Sequence, residues 1–155
     1  MSLADLLPLE RVVHRLRAAS KAALLAELGR RAAANLGLDP VMLAGLLAAR
    51  EGLGSTGFGG GVAVPHARVD GVTLPAGFLA RLDRPLDYAA IDGRPVDLVF
   101  LLVSPKASNE AHLAALAAAS RRLRDPAVVR ALRAAGDAAE LRKAFVEAVD
   151  NSGDH

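Results

Sequence analysis

The sequence predicts an α/β domain with helices on both faces of one sheet, and three observations carry that prediction. Residues 96–103, V-D-L-V-F-L-L-V, are apolar at both alternating phases apart from Asp97, as in a central strand covered on both sides. Apolar residues recur at helical spacing over 20–36, 40–51 and three segments beyond 108. These helical segments are interleaved with shorter strand-like runs, and helices grouped in this way cover both faces of a sheet. At 155 residues the chain reads as a single domain over 1–150, followed by a disordered tail at 151–155.

Residues 9–16 read as a short edge strand with Val12, Val13 and Leu16 among basic residues; His14 within it is read as an edge histidine without a partner. Ser20 caps a helix to Leu36, with Leu24, Leu25, Leu28, Ala32 and Leu36 on one face, and Gly37 ends it. Asp39-Pro40 gives the N-cap and first position of the next helix, which buries Val41, Leu43, Leu46 and Leu47 and ends at Arg50-Glu51. A glycine-rich loop over 52–61 leads into a three-residue strand, 62–64, that ends at Pro65-His66. After Asp70-Gly71, residues 77–82 alternate as a strand, 85–91 are extended and irregular, and Asp92-Gly93 turns the chain into the central strand. Ser104-Pro105 stops that strand. Asn109 caps a helix to about Arg124 with Leu113, Leu116, Ala117 and Leu123 inward. Asp125-Pro126 opens another, ended by Gly136, and Asp137 to Glu140 forms a capping box for the last, with Leu141, Phe145 and Val149 on one face.

Composition excludes several function classes. The 19 basic and 17 acidic residues are mixed along the chain and leave a net charge of only +2, so no nucleic-acid surface is expected. There is no cysteine, hence no disulfide framework and no cysteine metal site. The N-terminus lacks the basic-then-apolar order of a signal peptide. The longest apolar run, 41–49, is less than half of the ~20 residues that span a bilayer. A cytoplasmic protein without direct membrane insertion is expected.

The chemistry concentrates in residues 50–68, R-E-G-L-G-S-T-G-F-G-G-G-V-A-V-P-H-A-R, which hold six of the 14 glycines and one of four histidines. Glycine N–H groups can approach an anion closely. A neutral imidazole beside such a loop is a good nucleophile toward phosphorus, and His66 is that imidazole. Gly52 to Gly57 also matches G-x-G-x-x-G. However, a helix precedes it and a strand with Pro65 follows, the reverse of a dinucleotide site, and no Lys-Ser or Lys-Thr completes a Walker loop. No nucleotide cofactor is expected. His112 falls in the first turn of the helix capped by Asn109, just after the central strand, where helix N–H groups favour an anion. Arg50 is either a dipole partner at a helix end or a phosphate ligand. The hydroxyls of Ser55 and Thr56 either donate to the same anion or shape the turn. His66 and His112 lack a carboxylate third ligand, which makes them a poor zinc site, so no metal is expected.

G-S-T-G-F-G-G-G-V-A-V-P-H-A-R resembles the active-site stretch of the fructose/mannitol-type IIA domains of the phosphoenolpyruvate-dependent phosphotransferase system, most of all their nitrogen-regulatory branch. The resemblance covers roughly Leu6 to Val149; Gly60 stands where asparagine is common, and Ala67 where glycine follows the histidine. It implies a small mixed sheet flanked by helices, phosphorylation of His66, and a histidine at the position of His112 and an arginine at that of Arg50 beside the phosphoryl group. Gly54, Ser55, Thr56, Gly57 and Gly59 would form the phosphoryl-binding loop. Apart from the resemblance, Arg68 is read either as a further phosphoryl contact or as a partner contact to an acidic side chain, Phe58 as a partner contact, and Phe58, Val62 and Val64 as an apolar rim to the site. The implied donor is a small histidine-containing phosphocarrier protein. The output is either regulation of targets such as sensor kinases or potassium transport systems, or transfer to a separate IIB protein. The lack of a fused IIB or membrane domain leans toward regulation.

Overall fold

The apolar run that anchors the sequence reading becomes the longest-paired strand of the sheet. A computed structural model describes residues 2–147. Its elements are α1 (Leu3–Leu6), a 3-10 turn (Leu9–Arg11), β1 (Val12–Leu16), α2 (Lys21–Leu36), α3 (Pro40–Gly52), β2 (Gly57–Gly59), β3 (Val62–Ala63), β4 (His66–Val69), β5 (Ala76–Leu86), β6 (Val96–Pro105), α4 (Asn109–Arg124), α5 (Pro126–Ala134) and α6 (Ala138–Val146). The strands form one mixed sheet in the order β1-β5-β6-β3-β2, and β4 also pairs with β6. β1 runs parallel to β5, β5 antiparallel to β6, β3 and β4 parallel to β6, and β2 antiparallel to β3.

β6 is the spine because its side chains serve two cores. Val99, Leu101 and Val103 pack with Leu24, Leu28, Leu43 and Leu47 of α2 and α3. Leu98, Phe100 and Leu102 pack with Ala119, Leu132, Leu141 and Phe145 of α4, α5 and α6. Phe100 stacks on Phe145 with centroids 4.8 Å apart. Above it Gly77 lies so close that a Cβ there would sit 2.3 Å from the Phe100 ring. The α/β fold with helices on both faces of a mixed sheet is therefore the fold of this chain.

Local chemistry sets the boundaries. Ser20, Asp39, Asp125 and Asp137 each accept a hydrogen bond from an N–H of the following first turn. Gly37 closes α2 in the left-handed conformation at φ 71°. Other expectations shift. Ser108, not Asn109, caps α4, and the buried face becomes His112, Ala115, Ala119 and Leu123, while Leu113 is 54% exposed. Ser and Asn are equally good caps, and the face that packs against β6 is the one a residue earlier, about 100° around the helix from the expected one. Val41 and Leu46 point outward from α3. Glu140 reaches back to Gly136 N–H at 2.7 Å, one residue before the cap, so the reciprocal box is not formed. The 9–16 segment begins as a 3-10 turn, β5 continues through Leu86, and β6 includes Ser104 and Pro105. His14 does have partners: its Nε2 lies 3.2 Å from Ala135 O and 2.9 Å from Arg81 Nη2. Val149 and the 151–155 tail lie outside the described residues.

Candidate active site

Two helix ends converge on a break in one strand. β3 and β4 both pair with β6, Val62 opposite Leu98 and His66 opposite Leu102, with Val64-Pro65 interrupting them. A proline cannot donate to a ladder, and its carbonyl instead accepts from Leu102 N–H at 3.0 Å. His66 is thus the first residue of a resumed strand rather than the end of one. Arg50 arrives on the last turn of α3, and His112 on the first turn of α4.

Arg50 Nε donates to His66 Nε2 at 3.2 Å, and its Nη1 donates to Gly54 O at 2.8 Å. His66 Nδ1 lies 2.9 Å from Val64 O. A carbonyl only accepts, so the ring proton is on Nδ1 and Nε2 keeps its lone pair. The His66 and His112 rings are 5.4 Å apart between centroids, tilted by 46°. His112 is buried, with Nδ1 2.8 Å from Ser104 Oγ. Burial pushes His66 below the ordinary imidazole value; Val64 O works against this, the Arg50 charge adds to it, and Glu51 opposes it. Burial also lowers His112, helped by the charges of His66 and Arg68. Both imidazoles are neutral at neutral pH.

The glycine stretch is not one cradle. Its first part turns beside the site: Gly54 takes φ 147°, and Ser55 Oγ accepts from Gly57 N–H at 3.1 Å. Thr56 is buried, with its hydroxyl donating to Glu51 and lying 3.0 Å from Tyr88 Oη. That hydroxyl shapes the turn. Gly57 packs so tightly that a Cβ would lie 2.8 Å from Ala90 Cβ. The second part is a hairpin, β2 to β3, running away from His66. Its turn sits near Leu98, four residues along β6 from Leu102, or about 13 Å. Gly59 lies there beside Asp92, so it is not brought to His66.

Phe58 in that hairpin is half-buried under Arg124, 4.8 Å from its ring centroid. Val62 and Val64 are buried as well, so the expected apolar rim is absent. Leu53 and Leu113 are instead the exposed apolar neighbours of the site residues. Arg68 shares a face of β4 with His66 and donates to Lys106 O at 2.8 Å, while its Nε is buried without a partner among the described residues. Ala67 lies in extended β4 opposite Val103, where glycine has no conformational advantage. Gly60 takes φ 68°, a region asparagine also tolerates.

Sequence reasoning passed over Glu51, Tyr88 and Ser104. A glutamate at a helix end reads as solvated, and a serine after a strand reads as a stop; only contact across the fold distinguishes them. Among the described residues there is no group of three or more His, Cys, Asp or Glu side chains fit to hold a metal ion. Nor is any helix among them long and apolar enough to cross a membrane.

Comparison with known proteins adds to this geometry. The family model described as "Phosphoenolpyruvate-dependent sugar phosphotransferase system, EIIA 2" matches residues 5–148. A nitrogen regulatory protein of Bradyrhizobium diazoefficiens is 42% identical over 138 residues, covering 89% of this chain and 90% of that protein. The crystal structure of nitrogen regulatory protein IIA-Ntr from Neisseria meningitidis is similar at TM-score 0.87 and 33% identity, covering 92% of this chain and 98% of that one. The IIA mannitol structure from Escherichia coli shares the fold at TM-score 0.73 and 20% identity, covering 88% of this chain and 96% of that one.

Proposed function

The chain belongs to the EIIA 2 family of the phosphoenolpyruvate-dependent sugar phosphotransferase system, and on that premise we propose that it is a cytoplasmic phosphohistidine carrier whose phosphorylation state regulates partner proteins. One observation carries the reading: His66 Nδ1–H is held by Val64 O, so Nε2 carries a lone pair that meets Arg50, and a second imidazole lies 5.4 Å away between ring centroids.

The donor is a phosphohistidine on a small carrier protein. His66 Nε2 attacks its phosphorus in line, forming a new N–P bond as the donor N–P bond breaks and its electron pair returns to the donor imidazole. The His66 ring becomes cationic while Nδ1 keeps its proton, so the bond to Val64 O strengthens as transfer proceeds. Arg50 leaves the lone pair that it occupies at rest and binds the equatorial oxygens, a planar guanidinium being suited to them. His112, anchored on Ser104, would donate from its other nitrogen to a phosphoryl oxygen. Nitrogen-to-nitrogen transfer is nearly balanced in free energy and needs no metal.

The regulatory output rests on the similarity to nitrogen regulatory proteins. Sensor kinases and potassium transport systems are the kind of target in view. Incubation with the general phosphotransferase proteins and labelled phosphoenolpyruvate, followed by mapping, tests the chemistry. Acid-labile label should appear on His66 alone and vanish in His66→Ala, whereas His112→Ala should accept label but pass it on or back poorly. Retained labelling of His66→Ala at wild-type stoichiometry would mean that another residue is the nucleophile. Rapid passage to a IIB protein would favour a sugar-specific IIA subunit.

A further inference from the structure

Glu51 is spatially next to the site, yet the mechanism above does not use it. Its side chain is only 6% exposed. A buried carboxylate is costly unless its oxygens are fully satisfied. Here Thr56 gives both its backbone N–H, at 3.1 Å, and its hydroxyl. Lys21 Nζ lies 2.9 Å away and Tyr88 Oη 3.2 Å. Burial alone would push the carboxyl up, but the bonds from Thr56 and Lys21 outweigh it and hold it below the usual range. Glu51 is therefore ionised and clamped.

The clamp leads to the nucleophile by an unbroken route. Thr56, gripped at two atoms, presents its carbonyl to Val64 N–H at 3.0 Å. The carbonyl of the same Val64 accepts from His66 Nδ1 at 2.9 Å. Thus the last turn of α3 reaches His66 from both sides: Arg50 directly at Nε2, Glu51 through two residues at Nδ1.

We propose that Glu51 is a positioning residue which, through Thr56 and the Val64 carbonyl, holds His66 as the Nδ1–H tautomer with Nε2 aimed at the incoming phosphoryl group. Lys21 balances the Glu51 charge, which leaves Arg50 free for the phosphate. Thr56 is a link in this route and not a phosphate ligand.

The kinetic part rests on His66 being the phosphoryl acceptor; the tautomer part does not, so the test separates them. Nitrogen-15 spectra of the ring report the His66 tautomer without any phosphorylation. Wild-type protein should show Nδ1–H, and Glu51→Gln and Thr56→Val should each raise the Nε2–H population. Thr56→Val keeps the Glu51–Lys21 pair, so it tests the route even if Glu51→Gln folds poorly. In the transfer assay each variant should lose about 10- to 100-fold in rate, with little change in the concentration of donor protein needed for half-maximal rate. The double variant should be no slower than the slower single one, because both cut the same route. An unchanged tautomer in both variants, or rate losses that multiply in the double variant, would overturn the inference. The tautomer response in the variants, together with no phosphate uptake by the wild type, would instead overturn the phosphocarrier reading alone.

Discussion

A histidine proposed to attack phosphorus must be neutral, and the surroundings of His66 lower its proton affinity. Burial is the main cause, with Arg50 assisting and Val64 and Glu51 opposing. Phosphoryl uptake should rise with pH and reach half its plateau below about pH 6.5, the ordinary imidazole value. A ring titration by NMR checks this, and Arg50→Ala should move the midpoint upward. The same shifts affect stability. Unfolded histidine binds a proton near pH 6.5 while native His66 and His112 do not, so stability is full above that pH and declines as pH falls through it. Thermal midpoints measured from pH 7.5 down to 5.5 should therefore fall, with a shallower slope in His66→Ala. Of these residues, His66, Arg50 and His112 were legible in the sequence as candidates because each sits at a readable landmark: a glycine loop, a helix end, a helix start. The burial of Thr56 was not, since a threonine among glycines gives no sign that a glutamate five residues earlier will claim its hydroxyl.

Elements were legible wherever a cap and a period coincided, as at Ser20, Asp39-Pro40 and Asp125-Pro126. α1 left no trace, because its four residues are too few for a repeating apolar pattern. β2 was equally hidden: Gly-Phe-Gly has poor strand propensity, and only pairing with β3 makes it one. The break between β3 and β4 was visible as Pro65, but the strand's resumption at His66 depends on the exposed edge of β6 beyond it. At Gly77 the residue choice follows from packing alone. A methyl there would meet Phe100, which is itself stacked on Phe145. Gly77→Ala should destabilise the protein by about 1–3 kcal/mol, as overpacking does, read as a shift in urea midpoint at constant slope.

At the scale of the whole molecule, the strand order was beyond the sequence because the pairing of β1 with β5 joins segments more than sixty residues apart. The helix layers were not, since a strand apolar on both faces requires them. The outer surface carries Leu53 and Leu113 next to the site, with Val41 and Leu46 further along α3. Phosphorylation of His66 would add a phosphoryl dianion, partly offset by the positive ring that carries it, beside Leu53 and Leu113. Partners that dock through an apolar or acidic face should then prefer the unphosphorylated protein, without any change of fold. Pull-downs with wild type, His66→Ala and His66→Asp check this, together with affinities for both phosphorylation states. Equal affinities in the two states would remove the basis for a regulatory output.

The clamp around Glu51 also makes the protein its own optical probe. Tyr88 is the single tyrosine and there is no tryptophan, so all long-wavelength ultraviolet emission originates at one ring. That ring is buried, its hydroxyl lies 3.2 Å from a carboxylate oxygen, and Lys21 sits 4.4 Å over its face. A phenol bonded to a carboxylate loses its excited state by proton transfer, so the native protein should be dim. Emission should brighten when the loop beside His66 opens, and Glu51→Gln should brighten it even where circular dichroism shows the fold retained. A fluorimeter alone could then follow the integrity of the site during unfolding or partner binding, with no label attached.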